Sequence, residues 1–264
     1  MMAVLELIEK GTADRTHPAP LLFVHGGCLS AWCWDEHFLD YFAERGFRAM
    51  AVSWRGHGAS SSPTPVSKCS IADYLHDVRW AADQLGGRPV LIGHSTGGFI
   101  TQKYLEHRDA PAAVLLASTP TRGILPSALR VWRKEPWISV RANGIGQAHG
   151  IFNTPRLARQ FLFSPTTPEP IVEEGAVRVE PDSLRAVFFD QAFRLPRPRR
   201  VRTPMLVLGG EHDGLISNAE VRATARAYRT QAEIFPGMGH MLMLEPGWAQ
   251  VAERIHHWLG DQGL

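Results

Sequence analysis

The sequence predicts an α/β protein: a doubly wound, mostly parallel sheet with a helical cap inserted ahead of its last strands. Three observations lead there. Apolar runs of strand length alternate with helical patterns along most of the 264 residues. The runs are near-continuous rather than alternately apolar and polar, which marks strands buried on both faces by covering helices. The alternation stops between residues 120 and 200, where ten prolines separate short helical pieces, and a strand pattern resumes at Met205. Core residues are therefore expected at 1–119 and 201–264, with the cap at 120–200. A composition of 44% hydrophobic and 20% charged residues is globular and excludes disordered, collagen-like and coiled-coil classes.

The elements follow in order. Residues 4–8 read as a short first strand, and 20–24 (PLLFV) as a buried one before a His-Gly-Gly turn. Further strands are expected at 47–54, 89–92, 113–117, 205–208 and 233–235. Helices fit the intervals 30–45, 70–85, 97–108, 217–229 and 246–259. In the second of these, Leu75, Val78, Ala81, Ala82 and Leu85 recur at helical spacing behind Asp73. Gly46 and the pair Gly86-Gly87 stand where helices should stop. Within the cap, helical pieces are expected at 127–134, 155–162, 169–178 and 182–192.

Gly93-His94-Ser95-Thr96-Gly97 carries the strongest chemical signal. It fits G-x-S-x-G, with a strand pattern before it and a helix pattern after it. In so sharp a strand-to-helix turn, side chains at Gly93 and Gly97 would collide with neighbouring backbone. The turn lifts the Ser95 hydroxyl out of the sheet, beside the unpaired N–H groups of a helix start. Serine needs a base, and His240 is singled out among twelve histidines by its place in a glycine-bearing loop after the last strand. Catalytic groups of open α/β sheets gather at the carboxyl ends of strands. Asp213, after the 205–208 strand, is the acid expected to orient His240, with Glu211 a competitor. An oxyanion formed at Ser95 needs two donors. The N–H groups of Thr96 and of Gly27 in His25-Gly26-Gly27-Cys28 are the expected pair, with Cys28 as second choice for the latter.

These residues resemble the α/β-hydrolase superfamily, in its small carboxylesterase and lipase-like branch. The resemblance rests on HGG at 25–27, Arg55-Gly56-His57-Gly58 with Ser60, GHSTG at 93–97, and GEHD at 210–213 with GMGH at 237–240. It runs from about residue 20 to the C-terminus, cap excluded. It implies an eight-stranded, mostly parallel sheet and a lid near 120–200. It also implies a cofactor-free serine hydrolase cleaving a carboxylic ester with an apolar acyl or alkyl part through an acyl-enzyme, with Ser95, Asp213 and His240 as triad. Lactonase, carbon–carbon bond hydrolase and cofactor-free haloperoxidase or perhydrolase chemistry are alternatives on the same triad. A non-catalytic small-molecule receptor is an alternative outside enzymes. Epoxide and haloalkane hydrolases are disfavoured, since the fold uses an aspartate nucleophile there.

Trp32, Phe99 and Met241 lie near the motifs and are candidates for an acyl pocket. His25, His57 and His94 sit in motif turns and are expected to make structural hydrogen bonds; no HExxH or Cys/His cluster points to a metal. The cap carries twelve Arg and one Lys against seven acids, read as surface charge. Its interleaved phenylalanines, Phe152, Phe161, Phe163, Phe188, Phe189 and Phe193, suggest an apolar underside over the pocket. A formal net charge of +2 gives no reason to expect nucleic acid. Three cysteines imply no disulfide framework. The first residues lack a basic n-region and no stretch is long and apolar enough to span a membrane. No stable membrane insertion and a cytoplasmic location are therefore expected.

Overall fold

The structure, a computed structural model, describes residues 3–137 and 149–264. Seven strands form one sheet: β1 (Glu6–Lys10), β2 (Leu21–Val24), β3 (Ala49–Ser53), β4 (Val90–His94), β5 (Ala113–Leu116), β6 (Met205–Gly210) and β7 (Ala232–Phe235). Their order is β1-β3-β2-β4-β5-β6-β7; β1 runs antiparallel to β3 and every other pairing is parallel. The mostly parallel sheet is thus as expected, with seven strands among the described residues where the resemblance implied eight. β1 lies two residues later than its apolar pattern suggested. It is a half-buried edge strand, and its register is set by pairing along β3, Glu6 with Ser53 through Lys10 with Ala49.

β2 to β5 are wholly buried because both faces are covered. The two-residue period of β2 splits its side chains between two cores. Leu21 and Phe23 pack with Trp34, Phe42 and Ile255 on one face. Leu22 and Val24 pack with Tyr74, Phe99 and Val221 on the other. The first face is covered by α1 (Trp32–Asp35), α2 (Phe38–Ala43) and α9 (Trp248–Asp261); the second by α3 (Ile71–Gln84), α4 (Thr96–Tyr104) and α8 (Asn218–Ala227). α3 and α8 start at capping boxes, Ser70 with Asp73 and Ser217 with Glu220, each satisfying two orphan donors. The single helix expected over 30–45 is two helices, because His37 between them leaves the helical region at φ −147°.

Among the described residues, the chain between β5 and β6 holds helices and no strand. These are α5 (Leu125–Lys134), α6 (Pro155–Phe161) and α7 (Glu169–Val177), then a π-helical turn Arg185–Asp190 that runs on as α-helix through Gln191–Phe193. The regular helix expected over 182–192 is therefore partly a π turn. Residues 138–148 of the expected cap lie outside the described residues.

The topology fixes where a site can form. β3 lies to one side of β2 and β4 to the other, so the strand order reverses between β2 and β4. Loops leaving the carboxyl ends of these neighbours diverge and leave a crevice. The loop after β2 carries residues 25–28 and the turn after β4 carries Ser95.

Candidate active site

Ser95 follows β4 directly and caps α4 with φ 51° and ψ −117°. A non-glycine residue held there is strained, and the surroundings hold it. Its N–H donates to Leu116 O at 3.0 Å, and its carbonyl accepts from the Phe99 and Thr119 N–H groups, each at 3.1 Å. The glycines are needed for contact as expected. A Cβ on Gly93 would stand 2.6 Å from Gly97 O, and one on Gly97 would strike the carbonyl groups of Val24 and His25. Gly98 is a third such position, pressed against Ser118.

His240 and Asp213 meet at the carboxyl ends of the last strands. His240 Nδ1 donates to Asp213 Oδ2 at 2.8 Å, with both side chains buried. Asp213 Oδ1 accepts from the N–H groups of Leu215 (2.7 Å) and Ile216 (2.8 Å), so both its oxygens are engaged. With Nδ1 donating, a neutral His240 presents Nε2 as an acceptor. Glu211, the competitor, is exposed and accepts from Gly237 N–H instead. The His240 loop is gripped from the β5–β6 segment. Leu162 O accepts from the N–H groups of His240 (2.8 Å) and Met241 (3.0 Å). Buried Glu245 joins Gly239 N–H (2.7 Å) to Ser164 N–H (2.8 Å) and the Thr167 hydroxyl (2.9 Å).

Gly26 and Gly27 lie against the Ser95 turn: a Cβ on Gly26 would stand 3.2 Å from Ser95 Cβ, and one on Gly27 3.2 Å from Thr96 Oγ1. Neither Gly27 N–H nor Thr96 N–H, at the open start of α4, has a protein acceptor among the described residues. The second-choice donor fails this test. Cys28 N–H already donates to Asp182 Oδ2 at 2.9 Å.

Ser95, His240, Gly27 and Thr96 open together onto a cavity of about 430 Å³. Its walls are apolar: Trp132 and Val131 of α5, Phe152, Val187, Phe188 and Ile216 among others. Among the described residues, no Asp, Glu, Lys or Arg side chain lines it. Met241 lines it; Trp32 and Phe99 do not. Phe99 is fully buried in the core under α4, and Trp32 packs at the core edge beneath the Arg178 guanidinium, 3.8 Å from its ring centroid. Nearness in sequence misled because α1 and α4 turn these rings away from the crevice. Of the phenylalanines between β5 and β6, Phe152 and Phe188 line the cavity, Phe161 and Phe163 are buried, and Phe189 and Phe193 are exposed.

The three motif-turn histidines bond the loops together. His25 Nδ1 donates to Gly26 O at 2.8 Å and its Nε2 accepts from Trp54 N–H at 3.3 Å. His94 Nε2 donates to His240 O at 3.0 Å. Burial pushes both their pKa values well down, and a neighbouring histidine adds to this in each case, so both are neutral. His57 differs. Burial works against its charge, but the Asp182 carboxylate, 3.4 Å from Nε2, outweighs it and the net shift is upward. Asp182 moves the opposite way: burial raises it, while His57 and its hydrogen-bond donors bring it below the usual carboxylate value. Asp182 was invisible to sequence reasoning, since Cys28 and Tyr74, which donate to it, lie more than a hundred residues away. Among the described residues no group of three or more His, Cys, Asp or Glu side chains could hold a metal ion, and no helix is long and apolar enough to cross a membrane.

Comparison with known proteins agrees with this architecture. The chain is 25% identical over 248 residues to a non-heme chloroperoxidase of Burkholderia pyrrocinia, covering 85% of this chain and 86% of that one. It is 27% identical over 263 residues to epoxide hydrolase 3 of Xenopus tropicalis, covering 88% and 68%. Among solved structures, an esterase from Thermogutta terrifontis superposes with a TM-score of 0.68 at 23% identity, over 98% of this chain and 94% of that one. The profile of the alpha/beta hydrolase family matches residues 21–254, from the first strand of the crevice into the last helix. Sheet order, the strained serine turn and this match agree: the chain belongs to the alpha/beta hydrolase family.

Proposed function

We propose that the protein is a serine hydrolase that cleaves neutral carboxylic esters with an apolar acyl or alkyl part. One observation carries the reading: Ser95, the Asp213-bound His240 and two N–H groups with no acceptor among the described residues open onto the same apolar cavity. Ser95 Oγ attacks the ester carbonyl while His240 Nε2 takes its proton. Asp213 fixes the tautomer and stabilises the imidazolium. Gly27 and Thr96 N–H groups hold the oxyanion, each donor contributing about 10²–10³ in rate. His240 returns the proton to the leaving alcohol. Water, deprotonated by the same base, then releases the acid and restores Ser95. None of these steps uses a cofactor.

The β5–β6 segment serves as the cap in this reading. It supplies most of the cavity wall, excludes water, and raises the value of each hydrogen bond to the developing charge. A volume of about 430 Å³ lies within the usual range for small-molecule sites. A charged acyl chain would find no counter-ion among the described lining residues, which favours neutral substrates.

The test is steady-state hydrolysis of p-nitrophenyl esters from acetate to palmitate, with Ser95→Ala as control. Turnover should peak at one chain length and disappear in the variant while its melting curve stays cooperative. Equal turnover by a clean Ser95→Ala preparation refutes the assignment. The chloroperoxidase relative supports a second reading on the same acyl-enzyme. Hydrogen peroxide in place of water would release a peracid and free Ser95, detectable as halide oxidation that needs both a carboxylic acid and peroxide. Epoxide opening is less supported, because the turn carries serine.

A further inference from the structure

The β5–β6 segment is bonded into the loop that carries Gly27. Cys28, the next residue, has φ +61°, a left-handed backbone that a residue with a Cβ seldom adopts. Both its backbone polar groups end on the segment. Its N–H donates to Asp182 Oδ2 at 2.9 Å, and its carbonyl accepts from Glu180 N–H at 2.9 Å. Asp182 is wholly buried, where a carboxylate is costly unless its oxygens are served. Here they are: Oδ1 accepts from the Tyr74 hydroxyl at 2.8 Å and Ser183 N–H at 2.6 Å, and Oδ2 also faces His57 Nε2 at 3.4 Å. Four partners drawn from the 25–28 loop, the 55–58 turn, α3 and the segment itself converge on one side chain that does not line the cavity.

The arrangement turns the Gly27–Cys28 peptide N–H towards Asp182, away from substrate. The preceding N–H, that of Gly27, has no acceptor among the described residues and lies beside Thr96. Without the carboxylate nothing holds Cys28 at φ +61°; its relaxation also changes ψ of Gly27, and the shifted loop carries the Gly27 donor off its line. We propose that Asp182 is a positioning residue for the oxyanion hole: it clamps Cys28 in its strained conformation and so aims Gly27 N–H into the cavity. This rests on the Ser95 reading, and it makes seating of the cap a condition for a working oxyanion hole.

The test compares wild type, Asp182→Asn and Asp182→Ala in two assays, p-nitrophenyl butyrate turnover and the rate of Ser95 phosphonylation by an alkyl fluorophosphonate. Asp182→Ala should lose about 10- to 100-fold in kcat and in labelling rate, with KM within about threefold. Asp182→Asn keeps the shape and one acceptor oxygen, so it should fold and lose less. Inhibition by a trifluoromethyl ketone, which forms a tetrahedral adduct, should weaken in step with kcat/KM. A structural anchor alone would lower Tm yet leave kcat of the folded variants unchanged, or move KM alone; either result overturns the proposal. Wild-type protein that is not labelled overturns the Ser95 reading and this inference together. Labelled wild type matched by equally fast folded variants overturns this inference alone.

Discussion

Gly97→Ala probes the contact that joins the nucleophile turn to the oxyanion loop. Gly97 is the second residue of α4 and presses on the end of β2. An added Cβ would stand 2.8 Å from Val24 C, with the Val24 and His25 carbonyl oxygens closer still. Carbon atoms prefer roughly 3.5 Å or more, so the deficit is about 0.7 Å against main-chain atoms that cannot rotate aside. Overpacking costs about 1–3 kcal/mol, and the rigid neighbours place this case at the top of that range. Alanine recovers up to about 1 kcal/mol of helix preference over glycine. The net is about 2 kcal/mol, or roughly 4–8 °C in Tm for a chain of this size. The displaced Val24–His25 backbone leads straight into Gly27, so kcat should fall as well, by ~10-fold or more. Gly260→Ala is the control: it lies in the last turn of α9 with nothing within 4 Å of its Cβ position, and Tm should rise slightly. Thermal melts followed by near-ultraviolet circular dichroism, with ester kinetics on the same samples, read both effects. A Gly97→Ala protein with wild-type Tm and wild-type kcat would show that the α4 start does not press on the end of β2.

Three other outcomes are expected. Asp213→Asn should keep a cooperative melt but lose ~10⁴-fold in kcat, because the amide favours the wrong His240 tautomer; near-normal turnover would mean that Asp213 does not orient the base. Acidification should destabilise the fold below about pH 6.5. His25 and His94 are held neutral with pKa values well below normal, so the unfolded chain binds more protons there and stability falls as pH falls. His57, raised, gives its full contribution below the unfolded value and loses it as pH climbs through the folded one, so Tm should peak near neutrality. A Tm unchanged between pH 7 and pH 5 would contradict this. Finally, Cys28, Cys33 and Cys69 are buried and burial raises each thiol pKa, so iodoacetamide should leave the folded protein unmodified and its turnover intact. Rapid labelling seen by intact mass would show otherwise.

Much of the sheet was legible because β2 to β5 are buried on both faces and read as unbroken apolar runs. Ser95, Asp213, His240 and Gly27 were legible for a different reason. Each follows a strand in a glycine-bearing turn, so local chain chemistry marked it. β1 slipped by two residues because a half-buried edge strand carries a weak pattern. Trp32 and Phe99 were misplaced because proximity to a motif says nothing of which way a helix face turns. Asp182 left no local signal. It sits between Pro181 and Ser183 like any turn aspartate, and only the packing of the β5–β6 segment against α3 and the 25–28 loop gives it Cys28 N–H and Tyr74 as partners. The same holds for Glu245, whose bonds to Gly239 and Ser164 exist only once that segment is seated.

In the proposed reaction Ser95 carries the acyl group. Wild-type protein mixed with p-nitrophenyl acetate, quenched in acid within milliseconds to seconds and analysed by intact and peptide mass spectrometry, tests it directly. Nucleophilic catalysis by Ser95 requires a burst of p-nitrophenol matched by one acetyl group per chain, on the peptide holding Ser95, and absent from Ser95→Ala. Turnover with no acyl adduct, or with the acyl group on another residue, would contradict it.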